Sequence, residues 1–493
     1  MNDKHLARIC VSVCEKDLDA LRRTCERAVE WADLIELRLD CLQEIPDKLP
    51  ELNARPLILT LRPSEQGGHR ELTREERQQF WTSIAPQAET IWWDVESDLV
   101  HDLAPDWSHV IVSHHDFSGI PNDLEQIYEH LAKTPAAVLK IAVQANDILD
   151  CIRIFNLLDR ARNEERELIA IAMGNAGIAT RILGPSRGSF LTYGALDDQS
   201  ATAPGQVNAR KLRSLYHIDT IDDETMICGL VGLPVMHSVS PHIHNAAFES
   251  ENVNGVYLPF EVRDAQQFFK RMVHPRTREL QWNLRGLSVT APHKQTVMEC
   301  LDWIDPDATE IGAVNTVVVE NDRLLGYNTD AAGFIDPLLN RFATLRDARV
   351  AIIGAGGAAR AAIWALQRQN ANVTLVARDP GKARSLAESF NIECISLSQC
   401  SFNGYDLVVN ATPQSPVTTA ELTGARCVYD LVYNPLETQL LRSAHEAGCE
   451  TVSGLEMLIA QAVRQFELWT GKTFNHGVTQ IKTDLIQVLK ENP

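Results

Sequence analysis

The chain has 493 residues, 45% hydrophobic and 23% charged, with a formal net charge of -20. That length exceeds one ordinary core and calls for two or three domains. The acidity excludes nucleic acid and anionic membrane surfaces as partners, so anionic ligands must be met by local Arg and Lys.

Eleven cysteines fall without a CxxC or ordered spacing. They read as reduced thiols in a cytoplasmic protein, not as a disulfide framework or zinc ribbon. Met1–Arg8 is polar and charged, unlike a secretory leader. No apolar run approaches the roughly 18 residues that span a bilayer.

Short apolar segments recur through the first two hundred residues: Ile9–Cys14, Leu34–Asp40, Leu57–Arg62, Ile91–Glu96, His109–His115, Val138–Val143, Leu168–Gly174 and Phe190–Leu196. Stretches of helical period, such as Asp17–Trp31 and Asp147–Arg162, separate them. Eight such alternations predict a (β/α)8 barrel, against an open doubly wound sheet. Barrel enzymes carry their chemistry at the carboxyl ends of the strands. There stand Glu36, Arg38 and Asp40, then Arg62, Asp94 and Glu96, His114 and His115, Lys140, and Arg181.

Lys140 shares a strand face with Val138 and Ala142. If that face is the interior, burial and neighbouring cations would favour a neutral amine able to attack a ketone. A lysine paired with Glu36 or reaching for the rim fits the strand equally well. His115 suits proton transfer, and His114, facing the other way, reads as structural.

Five pieces follow in order: Ile-Glu-Leu-Arg-Leu-Asp (35–40), Leu-Thr-Leu-Arg-Pro (59–63), Ser-His-His-Asp-Phe (113–117), Leu-Lys-Ile-Ala (139–142) and Ala-Thr-Ala-Pro-Gly-Gln (201–206). Together they resemble the type I 3-dehydroquinate dehydratases. The resemblance implies that Lys140 forms an imine with the ring ketone and His115 moves the protons. It implies that Glu36, Arg38, Arg62, Arg181, Thr202 and Gln206 hold the carboxylate and hydroxyls. The family's glutamate partner of the histidine is Gln66 here, and its lid serine is Thr202.

After the last barrel helix and an acidic linker, Asp219–Glu224, a new pattern begins. Strands are expected at Met226–Gly232, Val256–Phe260, Leu284–Val289, Ala313–Val319 and Leu324–Tyr327, with a turn at Asn321-Asp322. Ser240-Pro241 predicts a helix start with Ser240 as N-cap. Arg349–Arg360 then reads strand, glycine-rich turn, helix, and a second strand follows at Val373–Ala377. In that setting Gly354, Ala355, Gly356, Gly357 and Ala358 form a dinucleotide turn. Arg378 and Lys382 after the second strand favour NADP(H) over NAD, although Asp379 is adjacent.

Ser-Val-Ser-Pro (238–241), Ser-Val-Thr-Ala-Pro-His-Lys (288–294), Ile-Gly-Ala-Val-Asn-Thr (311–316) and Gly-Tyr-Asn-Thr-Asp (326–330) occur in order. Asp-Leu-Val-Tyr-Asn-Pro (430–435) and Gly-Leu-Glu-Met-Leu-Ile-Ala-Gln-Ala (454–462) follow. These are similar to shikimate dehydrogenases. The resemblance implies Lys294 and Asp330 as the catalytic pair and Ser238 and Ser240 on the carboxylate. It puts Thr290, Asn315, Tyr433 and Gln461 on ring hydroxyls or the nicotinamide, with Gly454 at the cofactor. Ser288 stands where single-domain members have Asn, and Ala377-Arg378-Asp379 and Asn410-Ala-Thr-Pro-Gln depart from the family's cofactor loops.

The expected organisation is a barrel over 1–215, a linker at 216–225 and an α/β substrate domain over 226–335. A Rossmann domain over 336–460 and C-terminal helices over 461–493 complete it. Small-molecule substrates, NADP(H) and no metal are expected; His242 and His244, two apart, lie on different sides of a helix. A quinate dehydrogenase is disfavoured because Ser238, Ser240 and Thr329 would crowd an extra hydroxyl. A metabolite-sensing regulator is disfavoured because all four catalytic-type residues are present.

Overall fold

The computed structural model describes residues 7–46, 52, 55–84, 91–413, 418–474 and 477–491. Most of Met1–Arg8, and Gln414 of the Asn410 loop, lie outside them. The branched apolar segments of the front half form parallel strands β1 (Ile9–Val13), β2 (Leu34–Arg38), β3 (Leu57–Thr60), β4 (Trp92–Glu96), β5 (Val110–Asp116), β6 (Val138–Gln144), β7 (Leu168–Met173) and β8 (Thr192–Ala195). Their order is β7-β6-β5-β4-β3-β2-β1-β8, and a short β9 (Val207–Asn208) pairs outside β8. The seam between β7 and β8 is narrow: a Leu168–Ser189 bridge, with the Phe190 N–H on the Leu168 carbonyl at 2.9 Å. The sheet thus returns on itself as the expected barrel. Its interior is filled by Cys10, Ile58, Ile111, Val138, Ala142 and Tyr193 among others, so the alternation turns Lys140 inward.

The second sheet contains β10 (Met226–Gly232), β11 (Gly255–Glu261), β12 (Leu284–Val289), β13 (Trp303–Ile304), β14 (Thr316–Glu320) and β15 (Arg323–Tyr327). Their order is β11-β10-β12-β14-β15-β13. Asn321 and Asp322 join β14 to β15 with φ of 48° and 58°, values that Asn and Asp tolerate best after Gly. The helix Ser240–Ser250 starts one residue earlier than expected. Val239 is its N-cap, and Ser238 Oγ, not Ser240, accepts a backbone N–H, that of Ser240, at 3.2 Å.

The third sheet is parallel: β16 (Arg349–Ile353), β17 (Asn372–Ala377), β18 (Glu393–Ser396), β19 (Leu407–Asn410), β20 (Cys427–Asp430) and β21 (Glu450–Ser453), in the order β18-β17-β16-β19-β20-β21. Chain direction around the sheet reverses between β16 and β19, the switch point at which such sheets bind ligands. The helix Gly454–Thr470 leaves β21 and crosses back onto the second sheet, where Trp469 Nε1 donates to the Val317 carbonyl at 3.1 Å.

One apolar core runs without a break from the barrel through Tyr216, Ile218 and Ile227 to Leu258, Phe260 and Trp282. The third sheet has its own core around Val350, Ile352, Leu366 and Leu407. Among the described residues no helix is long and apolar enough to cross a membrane. The expectation of cysteines without disulfides is corrected at one pair: Cys14 is bonded to Cys41, 27 residues away. No sequence spacing marks that pair; barrel topology makes it, by setting the ends of β1 and β2 side by side.

Candidate active sites

Two cavities sit at strand ends. The first, of about 480 Å³, opens at the carboxyl end of the barrel. The eight residues to which the resemblance gives a role line it, Glu36, Arg38, Arg62, His115, Lys140, Arg181, Thr202 and Gln206, whereas Asp40, Asp94, Glu96 and His114 do not.

Lys140 is buried and donates to Asp94 Oδ2 at 2.7 Å and to the Tyr193 hydroxyl at 3.0 Å. Glu36 Oε1 lies 3.6 Å away. The amine is thus paired with carboxylates and a phenol, nearer to the expected alternative of a lysine paired with Glu36 than to one depressed by neighbouring cations. Glu36 is oriented by Ser12 Oγ at 2.5 Å and Thr60 Oγ1 at 2.8 Å. Although burial works against it, Arg62 and Lys140 hold Asp94 well below the usual carboxylate range.

The three arginines differ in what they have left to offer. Arg38 spends its fork on Asp40, at 2.9 and 2.8 Å. Arg62 bonds Asp94, Glu96 and Ser113. Burial pushes Glu96 up to about 7, against the pull of Arg62 and Arg77. Arg181 is 1% exposed and meets only backbone carbonyls, Pro204 at 3.1 Å and Tyr193 at 3.4 Å. Burial alone lowers its pKa to about 10, which marks a buried cation with no counter-charge among the described residues.

Burial, reinforced by Arg62 and Lys140, pushes His115 well below its usual value of 6.5. His115 Nδ1 and Gln66 Oε1 both face this region as buried atoms without a hydrogen-bond partner. Thr202 and Gln206 clasp each other across the lid, backbone N–H to Oε1 at 2.8 Å.

The second cavity, of about 1450 Å³, lies between the second and third sheets. Ser238, Ser240, Thr290, Lys294, Asn315, Asp330, Ala358, Tyr433, Gly454 and Gln461 all line it. Lys294 Nζ pairs with Asp330 Oδ2, while Asn315 Nδ2 donates to the other Asp330 oxygen at 2.8 Å and to Thr329 Oγ1 at 3.0 Å. Ser238 and Ser240 touch at 3.1 Å. Ser288, the departure, is not idle: its hydroxyl donates to Gln465 Oε1 at 2.9 Å, and Gln465 Nε2 reaches Thr316 Oγ1 at 3.0 Å.

The glycine turn fits a dinucleotide. Gly354 has φ +110°, and a Cβ there would meet Thr412 at 2.7 Å. A Cβ on Gly357 would press on the Lys294 side chain at 3.0 Å. Gly356 caps the helix Gly357–Arg368 in open space, leaving its N-terminus bare for a phosphate. Arg378 and Lys382 are exposed beyond β17, whereas the Asp379 carboxylate is spent on the backbone N–H groups of Gly381 and Lys382, at 3.0 and 3.4 Å.

Sequence reasoning does not single out Tyr193 or Gln465. Each had a signal: Tyr193 is a polar-tipped residue within an apolar strand, and Gln465 is four residues, one helical turn, after Gln461.

Family models match in four tracts. Type I 3-dehydroquinase covers residues 9–223. The shikimate dehydrogenase substrate binding domain covers 230–317. Shikimate / quinate 5-dehydrogenase covers 338–425, with the shikimate 5'-dehydrogenase C-terminal domain at 454–475. A chloroplastic bifunctional 3-dehydroquinate dehydratase/shikimate dehydrogenase of Arabidopsis thaliana is 33% identical over 510 residues, covering 95% of this chain and 83% of that one. The shikimate biosynthesis protein AroDE of Chlamydia pneumoniae is 29% identical over 475 residues, covering 94% and 95%. A crystal structure of a shikimate dehydrogenase in complex with NADP+ superposes with TM-score 0.50 and 35% identity, over 55% of this chain and 97% of its own.

Proposed function

The chain belongs to the bifunctional 3-dehydroquinate dehydratase/shikimate dehydrogenases, and from that membership we propose which residues carry each half of its work. It is a lyase and an oxidoreductase of the shikimate pathway. The barrel, taken as 1–215, dehydrates 3-dehydroquinate. The units at 226–335 and 336–460, with the C-terminal helices 461–493 returning across them, reduce the product to shikimate.

In the barrel, Lys140 Nζ attacks the ring ketone, the ketone oxygen leaves as water and an imine forms, which water hydrolyses after the elimination to free the product and the amine. Arg181 receives the substrate carboxylate, and the observation that carries this is its buried, uncompensated charge. Arg38 and Arg62, already paired, act by fixing Asp40 and Asp94 around the site. His115, kept neutral, takes the proton next to the imine and returns it to the departing hydroxyl. Because its pKa is lowered, the base form persists as pH falls through 6.5. The acid limb of kcat/KM for dehydration is therefore expected well below that pH. Gln66→Glu places a carboxylate where a neutral amide now stands, favours the imidazolium, and should move the limb upward. A pH–rate profile that does not differ between the two proteins would remove Gln66 from the histidine's surroundings.

In the second cavity, Lys294 gives the proton to the carbonyl oxygen, with Asp330, itself fixed by the Asn315 amide, holding the ammonium in place. Ser238 and Ser240 receive the carboxylate, and Thr290, Asn315, Tyr433 and Gln461 the ring hydroxyls or the nicotinamide. The glycine turn, Ala358 and Gly454 would hold an NADP(H) whose nicotinamide supplies the hydride. Arg378 and Lys382 suit its 2′-phosphate, since Asp379 is committed to its helix. Arg378→Ala should raise KM for NADPH about tenfold to a hundredfold, the worth of one or two charge-assisted hydrogen bonds, and leave KM for NADH nearly unchanged. Equal effects on both cofactors would place Arg378 outside the phosphate site.

The decisive assay supplies purified protein with 3-dehydroquinate and NADPH. Growth of the conjugated-enone absorbance without NADPH, and NADPH consumption with it, supports both steps. Consumption only when 3-dehydroshikimate is added would leave the barrel without activity.

A further inference from the structure

Three successive loops on the carboxyl rim of the barrel converge beside the first cavity. Cys14 follows β1, Cys41 ends the short turn Leu39–Cys41 after β2, and His69 lies in the loop after β3. One ligand atom from each lies within 4.8 Å of the other two. Among the described residues this is the one grouping of three or more Cys, His, Asp or Glu side chains that could hold a metal ion.

The convergence does not depend on the sulfur–sulfur bond. The Gln43 N–H donates to the Lys16 carbonyl at 2.9 Å, tying the second loop to the first. The His69 N–H donates to Asp40 Oδ2 at 3.0 Å, and Arg70 donates to the Gln43 carbonyl at 2.6 Å, tying the third loop to the second. Reduction would therefore leave both thiols and the imidazole close together.

We infer that the reduced form of the protein binds a divalent ion of the Zn2+ class through Cys14 Sγ, Cys41 Sγ and a His69 ring nitrogen, with water in the fourth position. Two thiolates and one imidazole are the donors such a borderline-soft ion selects. Bonds of about 2.3 Å at the tetrahedral angle put two sulfurs about 3.8 Å apart. The Cα atoms, 5.4 Å apart, allow this by side-chain rotation. Cys14, Cys41 and His69 do not line the first cavity, so the ion takes no part in dehydration.

Entry into this state balances simply. A dithiol or phosphine supplies two electrons, two protons convert the disulfide into two thiols, and the reductant leaves oxidised. Metal binding then releases the thiol protons. Disulfide and metal are mutually exclusive, because both require the same two sulfurs.

The test uses full-length protein, reduced with a phosphine, freed of reagent under anaerobic conditions, and titrated with Cd2+. A thiolate-to-cadmium ultraviolet band should saturate at one equivalent and be displaced by Zn2+. It should be absent from the disulfide form and from Cys14→Ser and Cys41→Ser. His69→Ala should weaken binding by about tenfold or more, since losing even an outer-shell partner of a metal ligand costs that much. No uptake by reduced wild type overturns the inference, as does a band that survives in a serine variant and so arises from the other nine cysteines. If the serine variants fail to fold, the disulfide form decides: a band there overturns the site as well.

Discussion

Lys140→Ala is expected to lower kcat for dehydration by at least about a thousandfold while leaving reduction of 3-dehydroshikimate unchanged. The amine is the one nucleophile among the residues lining the barrel cavity that can form an imine, and it stands against Asp94, Glu36 and Tyr193 at 2.7, 3.6 and 3.0 Å. Without it the ketone lacks the electron sink that makes the neighbouring proton removable. Borohydride added with substrate should fix a ring adduct to wild type and not to the variant, read by intact mass. The same substitution takes the cation away from two buried carboxylates, so a stability loss of about 3–5 kcal/mol is expected alongside. A variant that melts lower yet dehydrates normally would sink the assignment of Lys140 as nucleophile.

Lys294→Ala is the mirror experiment. General-acid catalysis contributes about a hundredfold to ten-thousandfold, and kcat for reduction of 3-dehydroshikimate should fall within that range, with dehydration untouched. Asp330→Ala should produce a similar but smaller fall, because the ammonium loses the carboxylate that positions it while the acid itself remains. KM for NADPH should move little in either variant. If kcat is preserved in Lys294→Ala and only KM for the acid rises, the lysine binds substrate and the proton comes from elsewhere.

The barrel strands and most of those up to β17 were readable because branched apolar runs of four to seven residues alternate with helical periods, whereas β13 and β18 to β21 were not named. The ends of β6 and β12 stand within two residues of expectation for that reason. Much of the polar lining of each cavity was readable too, since it follows from strand ends and the motifs of the two halves, but Tyr193 and Gln465 were not. Pairing was not. Alternation turns Lys140 inward but says nothing of β4 and β8, which supply Asp94 and Tyr193 from 46 and 53 residues away. Nor could composition tell that Arg38 and Arg62 are already neutralised while Arg181 is not. The Cys14–Cys41 bond escaped for the same reason: it is a fact of neighbouring strands, not of spacing. The helix start was misplaced by one because Ser238 and Ser240 flank the N-cap Val239, and only the backbone decides which hydroxyl accepts from the first turn.

The unbroken core from the barrel helices to Trp282 bears on how the chain can be divided. A gene cut near residue 225 would separate Ile218 and Ile227 from the apolar partners they share, and two side-chain ties would go with them: the Arg187 guanidinium to the Gln281 carbonyl and the Asn283 amide to the Glu224 carbonyl, both at 2.8 Å. The first two sheets should therefore melt in a single calorimetric transition, with the third sheet, on its separate core, free to melt apart. Three resolved endotherms would show the joint to be a mere tether. One shared transition would mean that the fusion has become a folding requirement, so that neither half can be inherited without the other.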